Sequence, residues 1–536
     1  MANIIVECAK YLMIILITMY TYECFTVFGY ADGDKKRRIL RNQNKLMFMI
    51  HFLAFAGMYF KIGEIKILIF YAVQVVLLLA IILLYTWIYP KASRLVVNNM
   101  CMLMTIGFIM ITRLSYNKAV KQCVIAAGGV AISLAVPVII RKVKQLSEWR
   151  WLYCGVGIVA LAAVVVVGTE QFGAKLGFMV GGVGVQPSEF VKILFVFFVA
   201  SSFYHSKAFK DIVITTALAA FHVLILVASK DLGAALIIFI VYLVMLYVAT
   251  SQTLYVFAGL GAGAAASVVA YYLFNHVRVR VIVWQDPFAS YQNGGYQVAQ
   301  SLFAIGTGSW FGTGLFQGKA DAIPVAETDF IFSAICEEMG LIFALCIILI
   351  FLSCYVMFLN IAMELRNFFY KLVALGLGTC YIFQVFLQIG GVTKFIPLTG
   401  VTLPFVSYGG SSLLSTMIMF GIIQGLYIVR EDEEAEEEHQ IEMQRARQRN
   451  RSRQNERRRQ SSSNAKSGRS RQDGRDRRRE YDGDNRDRAR QRERDLRNES
   501  GRTTGKKTTK SRPRFEDVPE QRQQRQRRTR SEQRVR

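Results

Sequence analysis

The sequence predicts an all-α, polytopic membrane protein with about thirteen transmembrane helices and a disordered cytoplasmic tail. Three observations carry that expectation. Apolar residues make up 53% of the 536 positions and the mean hydropathy is +0.30, more than a soluble domain usually carries. Apolar runs recur from Ile4 to Val429, each near the ~20 residues a helix needs to cross a bilayer. From Arg430 onward the chain turns abruptly polar.

The runs place helices at 3–25, 45–61, 66–89, 97–114, 122–140, 151–168, 188–205, 211–228, 231–250, 253–274, 329–357, 370–393 and 406–429. The first has neither a strongly basic leader nor a small-residue cleavage site, so it is expected to stay as a helix. Orientation follows from lysine and arginine. Lys35 to Arg38, Lys91 with Arg94, Arg141 to Lys144 with Arg150, Lys207 with Lys210, Arg366 and the tail all fall on one side of a thirteen-span chain. That side is expected to be the cytoplasm, with the N-terminus and segment 275–328 outside. Lys61, Lys66, Arg113, Lys118 and Lys121 are exceptions. Nine scattered cysteines without a C-x-x-C spacing suggest neither a disulfide framework nor a metal cluster, and the five histidines are equally dispersed.

Residues 1–89 hold nothing polar that reads as chemistry and are expected to form a packing or docking module. A glycine-rich outer segment, 173–185, leads into Gln186-Pro187-Ser188-Glu189, a good helix start. Glu189 and Lys192 are spaced to pair on one helix face, or to wall an outward cavity. Lys230 and Asp231 fall at the same membrane face, where they either neutralise each other or line the same basin. The outer loop 275–328 is long enough to suggest a task. Its Arg278 and Arg280 suit a lipid-linked phosphate or ordinary headgroups equally, because a guanidinium donates in a planar fork. Gln300 and Ser301 lie in its polar, glycine-rich stretch. At the lip of the next apolar run stands Asp329. One reading makes it a helix N-cap. The other makes it functional, since an ionisable group at a helix centre costs roughly 2.5 to 3.5 kcal/mol. If Asp329 opens that helix, Glu337 lies within about a quarter turn of the same face. The loop at 394–405 leads into Pro404 to Ser412, where Gly409, Gly410, Ser411 and Ser412 permit close helix approach.

The tail, 430–536, opens with an acidic run and holds 35 Lys and Arg against 22 Asp and Glu, with almost no aliphatic residues. Such a segment cannot bury a core of its own. Its expected partners are anionic lipid or a cytoplasmic protein, with no specific nucleic acid.

Four segments now stand in order: QPSEFVK at 186–192, DLG at 231–233, the glycine-rich stretch 294–318 leading to ETDFIFSAICEEMG at 327–340, and PLTGVTLPFVSYGGSS at 397–412. Together they resemble the SEDS family (shape, elongation, division and sporulation: RodA, FtsW, SpoVE) over about 97–430. The resemblance implies a ten-helix peptidoglycan glycosyltransferase of the bacterial plasma membrane. It would polymerise lipid II, release undecaprenyl pyrophosphate and work with a class B penicillin-binding protein as transpeptidase. It places the family's essential aspartate at Asp329. Three extra N-terminal spans lie outside that core, and Ser229-Lys230-Asp231-Leu232-Gly233 departs from the family's QPDLG. Near Ala174-Lys175-Leu176-Gly177 the tryptophan usual in the family is absent.

The resulting division is 1–89 as extra helices, 90–430 as the transferase core and 431–536 as tail. Asp329 is expected as general base. Glu189, Lys192, Lys230, Asp231, Arg278, Arg280, Gln300, Ser301, Glu337, Ser411 and Ser412 are expected to contact substrate. A divalent cation is left open, since no ligand cluster is visible in the sequence. Two other readings compete: a flippase or transporter for lipid II, and a membrane scaffold whose tail recruits partners.

Overall fold

Short capping signals set several helix starts. The side chain of Asp32 accepts from the Asp34 amide at 2.9 Å, that of Asp231 from Ala234 at 3.1 Å, and that of Asn367 from Phe369 at 2.9 Å. Pro187 opens its helix at a position where the missing N–H costs nothing. The computed structural model describes residues 2–30, 32–171, 174–180 and 183–495. In order, the helices are α1 (Ala2–Gly29), α2 (Gly33–Ile62), α3 (Ile65–Ile88), α4 (Arg94–Leu114), α5 (Tyr116–Lys142), α6 (Arg150–Val167), α7 (Pro187–His205) and α8 (Phe209–Ala228). They continue as α9 (Leu232–Thr250), α10 (Thr253–Leu273), α11 (Asn275–Gln285), α12 (Tyr296–Gly308), α13 (Ile331–Met339), α14 (Leu341–Glu364), α15 (Phe368–Val392) and α16 (Gly410–Asp495).

Thirteen of these are long and apolar enough to cross a membrane, in agreement with the expected count. The eleventh differs in its start. It begins at Leu341 instead of 329, because Gly340 takes φ 87 and breaks the run into α13 and α14. Asp329 therefore precedes a separate short helix, and the shared face expected for Asp329 and Glu337 does not form. The basic residues Lys35 to Arg38 lie on the first turns of α2, not in a loop. The outer loop holds α11 and α12. The glycine-rich stretch before α7 folds into a small antiparallel sheet, β1 (Thr169–Gln171), β2 (Ala174–Val180) and β3 (Val183–Val185), in the order β1-β2-β3. Gly173, Gly181 and Gly182 fall outside the described residues.

The chain divides into two units, Met1–Gln440 and Ile441–Arg536. In the second, residues 441–495 are helical where disorder was expected; the described side chains there are exposed. Glutamate, glutamine and arginine favour helix, but without an apolar face such a helix buries nothing. In the first unit, the acidic start of the expected tail gathers the basic loops. Asp432 pairs with Lys91 at 2.6 Å and Arg141 at 2.9 Å, Glu437 pairs with Arg366, and Glu364 with Arg430 at 2.5 Å. These loops thus share one end of the bundle.

The first three helices are joined to the rest by more than apolar packing. Tyr20 donates to Asn99 Oδ1 at 3.0 Å, Asn99 donates to Ser353 at 3.3 Å, and Asn98 donates to Gln43 at 3.0 Å. Lys10, buried on α1, donates to the Gly312 carbonyl at 3.1 Å and pairs with Glu7 at 2.5 Å. Helix α4, the most enclosed span, lies against the 403–407 turn so closely that a Cβ on Gly107 would sit 2.6 Å from the Phe405 carbonyl oxygen. Gly107→Ala is therefore expected to cost about 1–3 kcal/mol through overpacking. A lower melting temperature of the purified protein in detergent would register it; an unchanged one would contradict the contact.

Candidate active site

At the bundle end opposite the basic loops, five segments meet: the start of α7, the start of α9, the turn 325–330, helix α11, and the 393–409 loop. The turn is fixed through its backbone. Three successive carbonyls each accept a bond: Glu327 from the Tyr408 amide at 2.8 Å, Thr328 from Ser407 Oγ at 2.6 Å, and Asp329 from Gln388 Nε2 at 3.0 Å. Lys118 holds the Glu327 side chain in an ion pair. The N-cap of α13 is Phe330, with no side-chain capping bond, so Asp329 is not a cap. Its backbone is tied down while its carboxylate is left available.

That carboxylate faces a guanidinium. Gly400 takes φ +75, and a Cβ placed there would lie 3.5 Å from Asp329 Oδ2 and 4.0 Å from Arg280 Nη2. The two charges flank Gly400 without closing onto each other. Arg280 is steadied by its other amine, which donates to the Leu398 carbonyl at 2.7 Å. Burial pushes the Asp329 carboxyl up to about 6, opposed by Arg280 and by a hydrogen bond from Thr328. His276, four residues before Arg280 on α11, is pushed down by burial and then by Arg280 and Lys230. Around this pair, Gln388 Oε1, Thr399 Oγ1 and His276 Nε2 are buried polar atoms with no hydrogen-bond partner in the chain. Buried polar atoms are normally satisfied, so three on the segments that carry Asp329's neighbours mark a place suited to a polar ligand.

The other candidates divide. Glu189 and Lys192 pair at 3.0 Å inside the bundle; Lys192 also donates to Gln384 at 2.7 Å, and Ser415 donates to Glu189 at 3.0 Å. Asp231 is occupied as cap of α9 and by Ser188 at 2.7 Å and Gln186 at 3.1 Å. Ser411 bridges the Gln186 amide at 2.9 Å and the Gly184 carbonyl at 3.0 Å, while Ser412 accepts from Thr402 at 2.6 Å. These residues frame the site and join its walls. Lys230, at φ 65, is exposed on the rim beside Arg280 and His276. Arg278 instead turns back to the Tyr272 carbonyl at 3.2 Å and is exposed. Gln300 donates to Tyr291 at 2.9 Å, and Ser301 is buried between Ser333 and the Val392 carbonyl. Glu337 accepts from the Lys319 amide at 2.7 Å. The structure does not bring these last four to Asp329.

Three residues outside the expected substrate contacts matter here. Gln384 and Gln388, one turn apart on α15, hold Lys192 and the Asp329 carbonyl respectively. Polar amides at i, i+4 in an apolar run were the available signal. Arg113 pairs with Glu338 at 2.8 Å and Asp321 at 3.1 Å, a largely buried knot beneath the 309–322 loop. Among the described residues no group of three or more His, Cys, Asp or Glu could hold a metal ion. Across Gly400, the charged neighbour of Asp329 is the Arg280 guanidinium.

Fold and site define a multi-pass, all-α membrane protein with a poised carboxylate at one end of its helix bundle. The chain belongs to the FtsW/RodA/SpoVE family of cell cycle proteins, whose sequence model matches residues 93–431. It is 35% identical over 360 residues to the peptidoglycan glycosyltransferase RodA of Mycobacterium leprae, covering 62% of this chain and 77% of that one. It is 33% identical over 321 residues to the probable peptidoglycan glycosyltransferase FtsW of Aliivibrio salmonicida, covering 55% and 76%. In three dimensions it matches a chain of a solved peptidoglycan synthase complex with TM-score 0.55 at 23% identity, over 63% of this chain and 98% of that one. That likeness concerns the fold.

Proposed function

We propose that this chain is a peptidoglycan glycosyltransferase that polymerises lipid II, with Asp329 as general base. The family and the named relatives support the activity. The Asp329–Arg280 arrangement around Gly400 carries the assignment of roles. In the step envisaged, the acceptor sugar's 4-hydroxyl oxygen attacks the donor's anomeric carbon and gives its proton to Asp329. The anomeric C–O bond breaks, and undecaprenyl pyrophosphate leaves with the electron pair. A carboxyl held near 6 is ionised at neutral pH yet more basic than an exposed aspartate, which suits proton removal. Arg280 and Lys230 stabilise the charge gathering on the pyrophosphate. Glu189, Lys192, Asp231, Gln384 and Gln388 position the walls.

The polymerising face lies outside the cell and the acidic run and tail inside, a reading supported by the lysine and arginine distribution. Residues 90–430 form the transferase core and 1–89 a docking module latched onto α4 and α14. A class B penicillin-binding protein takes the product at the outer face. The tail, 431–536, engages anionic lipid or a cytoplasmic protein.

The geometry separates two neighbouring arginines. Arg280→Gln is expected to lower polymerisation of purified lipid II by about 10²- to 10³-fold, the usual loss of a preorganised charge-stabilising donor. Arg278→Gln, turned toward Tyr272, retains most of the activity. Equal losses, or a silent Arg280→Gln, would remove Arg280 from the pyrophosphate.

A further inference from the structure

At the end of the bundle that carries the basic loops, α2, α3 and α4 enclose a cleft of about 150 Å³. Its wall is apolar at Leu40, Ile82 and Val97, and two arginines, Arg41 and Arg94, face it. Both arginines are exposed and neither has an ion-pair, hydrogen-bond or ring partner in the described chain. The acids of α16 do not reach them; Asp432 is taken by Lys91 and Arg141, and Glu437 by Arg366. Asn44, also lining the cleft, has its Oδ1 buried without a donor. The tyrosines at the cleft are already committed, Tyr85 to Ser133 at 2.5 Å and Tyr89 to the Leu134 carbonyl at 2.5 Å. The cleft therefore offers a ligand two exposed, unpaired guanidiniums and one buried acceptor without a donor, beside an apolar wall. Guanidiniums match phosphate oxygens in a planar fork. A hydroxyl next to that phosphate would satisfy Asn44.

We propose that this cleft binds a phosphate group carrying a neighbouring hydroxyl, as in a phosphatidylglycerol headgroup, between the first three helices and the transferase core. The same chemistry has a soluble source, inorganic phosphate, which also donates a hydroxyl. Where the lipid is the ligand, it seals the joint between α2–α3 and α4. Its acyl chains run beside Leu83 and Trp87, both exposed on α3.

The test uses the full chain in detergent, with phosphatidylglycerol added and retention read by native mass spectrometry. The Arg41→Gln/Arg94→Gln double variant is expected to bind at least ~10-fold more weakly, about 1.4 kcal/mol. Arg150→Gln, a basic residue of the same end stacked on Trp151, is expected to bind as the parent does. Asn44→Ala keeps both charges and the packing, and is expected to weaken binding roughly fivefold, the loss of one hydrogen bond. It decides the matter if the double variant does not fold. Inorganic phosphate at millimolar concentration that fails to displace the lipid assigns the site to lipid; displacement assigns it to soluble phosphate. Undiminished binding by the double variant, or by Asn44→Ala if that variant stands alone, overturns the site. So does an Arg150→Gln loss as large as that of the double variant.

Discussion

Asp329→Asn is expected to abolish polymerisation of lipid II while making the protein more stable above pH 7. The first effect is the loss of a base, typically 10²- to 10⁴-fold. The second follows from linkage. The carboxyl's folded-state value of about 6 lies above its ordinary 3.8, so between those values the folded chain holds a proton that the unfolded chain has released. Its contribution favours folding below pH ~4 and is lost as pH rises through about 6. The rise from 3.8 to about 6 corresponds to about 3 kcal/mol, and partial exposure reduces this to about 2 kcal/mol. Asparagine removes that cost, because it carries no charge to bury. A thermal melt of parent and variant at pH 8 and pH 4 reads the difference: a gain at pH 8 that shrinks at pH 4. The parent's rate should fall as pH drops below about 6. An asparagine variant that still polymerises within tenfold of the parent would displace Asp329 from the role. One that melts lower at pH 8 would contradict the buried anion.

How far the sequence reached depends on the range of the interactions involved. Spans were legible because each is a long local pattern, and their expected orientation rested on charges that lie next to them. Asp329 was legible as a carboxylate beside an apolar run. Its two readings, cap or functional group, could be separated only once Phe330 was seen to take the cap position. The break at Gly340 was hidden inside one mostly apolar run, and its φ of 87 goes with close contact to the 309–312 turn. Arg113 looked like an exception to the charge rule. Its partners, Asp321 and Glu338, are more than 200 positions away, and no local pattern announces such a pair. Arg278 and Arg280 were equivalent in sequence. They diverge because two residues along a helix point in directions about 200° apart, one toward Leu398 and one toward Tyr272.

Those distant pairings bear directly on the site. The 309–322 loop is clipped to α13 by the Thr313 and Gly314 amides, which donate to the Glu337 and Glu338 carbonyls at 2.8 Å each. Lys10 of α1 holds the same loop at Gly312. Helix α1 thus touches the loop clipped to α13, whose first turn follows Asp329. The surroundings of Asp329 are thus held from α1, α4 and α15, through Lys10, Arg113 and Gln388.

The Arg113–Glu338 pair is the second place where a large effect is expected. Both side chains are nearly inaccessible, at 6% and 0%, and Glu338 Oε2 has no hydrogen-bond partner. Burial pushes the Glu338 carboxyl up to about 7, against the opposing pull of Arg113. Arg113→Met would leave that carboxylate without its cation and is expected to cost about 3–5 kcal/mol at pH 8, the range for breaking a buried ion pair from one side. The cost shrinks as pH falls, because without Arg113 the carboxyl takes up a proton more readily than in the parent. Glu338→Leu alone leaves Arg113 buried beside Phe316, with only the exposed Asp321 to pair it, and is expected to cost a similar amount at either pH. The double variant removes both charges together and should recover more than half of the summed losses, since apolar replacement of a whole buried pair is often neutral. Melting temperatures of the four proteins in one detergent close the cycle. Additive losses would mean that the two groups do not interact and that the loop beneath the active site is held by its backbone bonds alone.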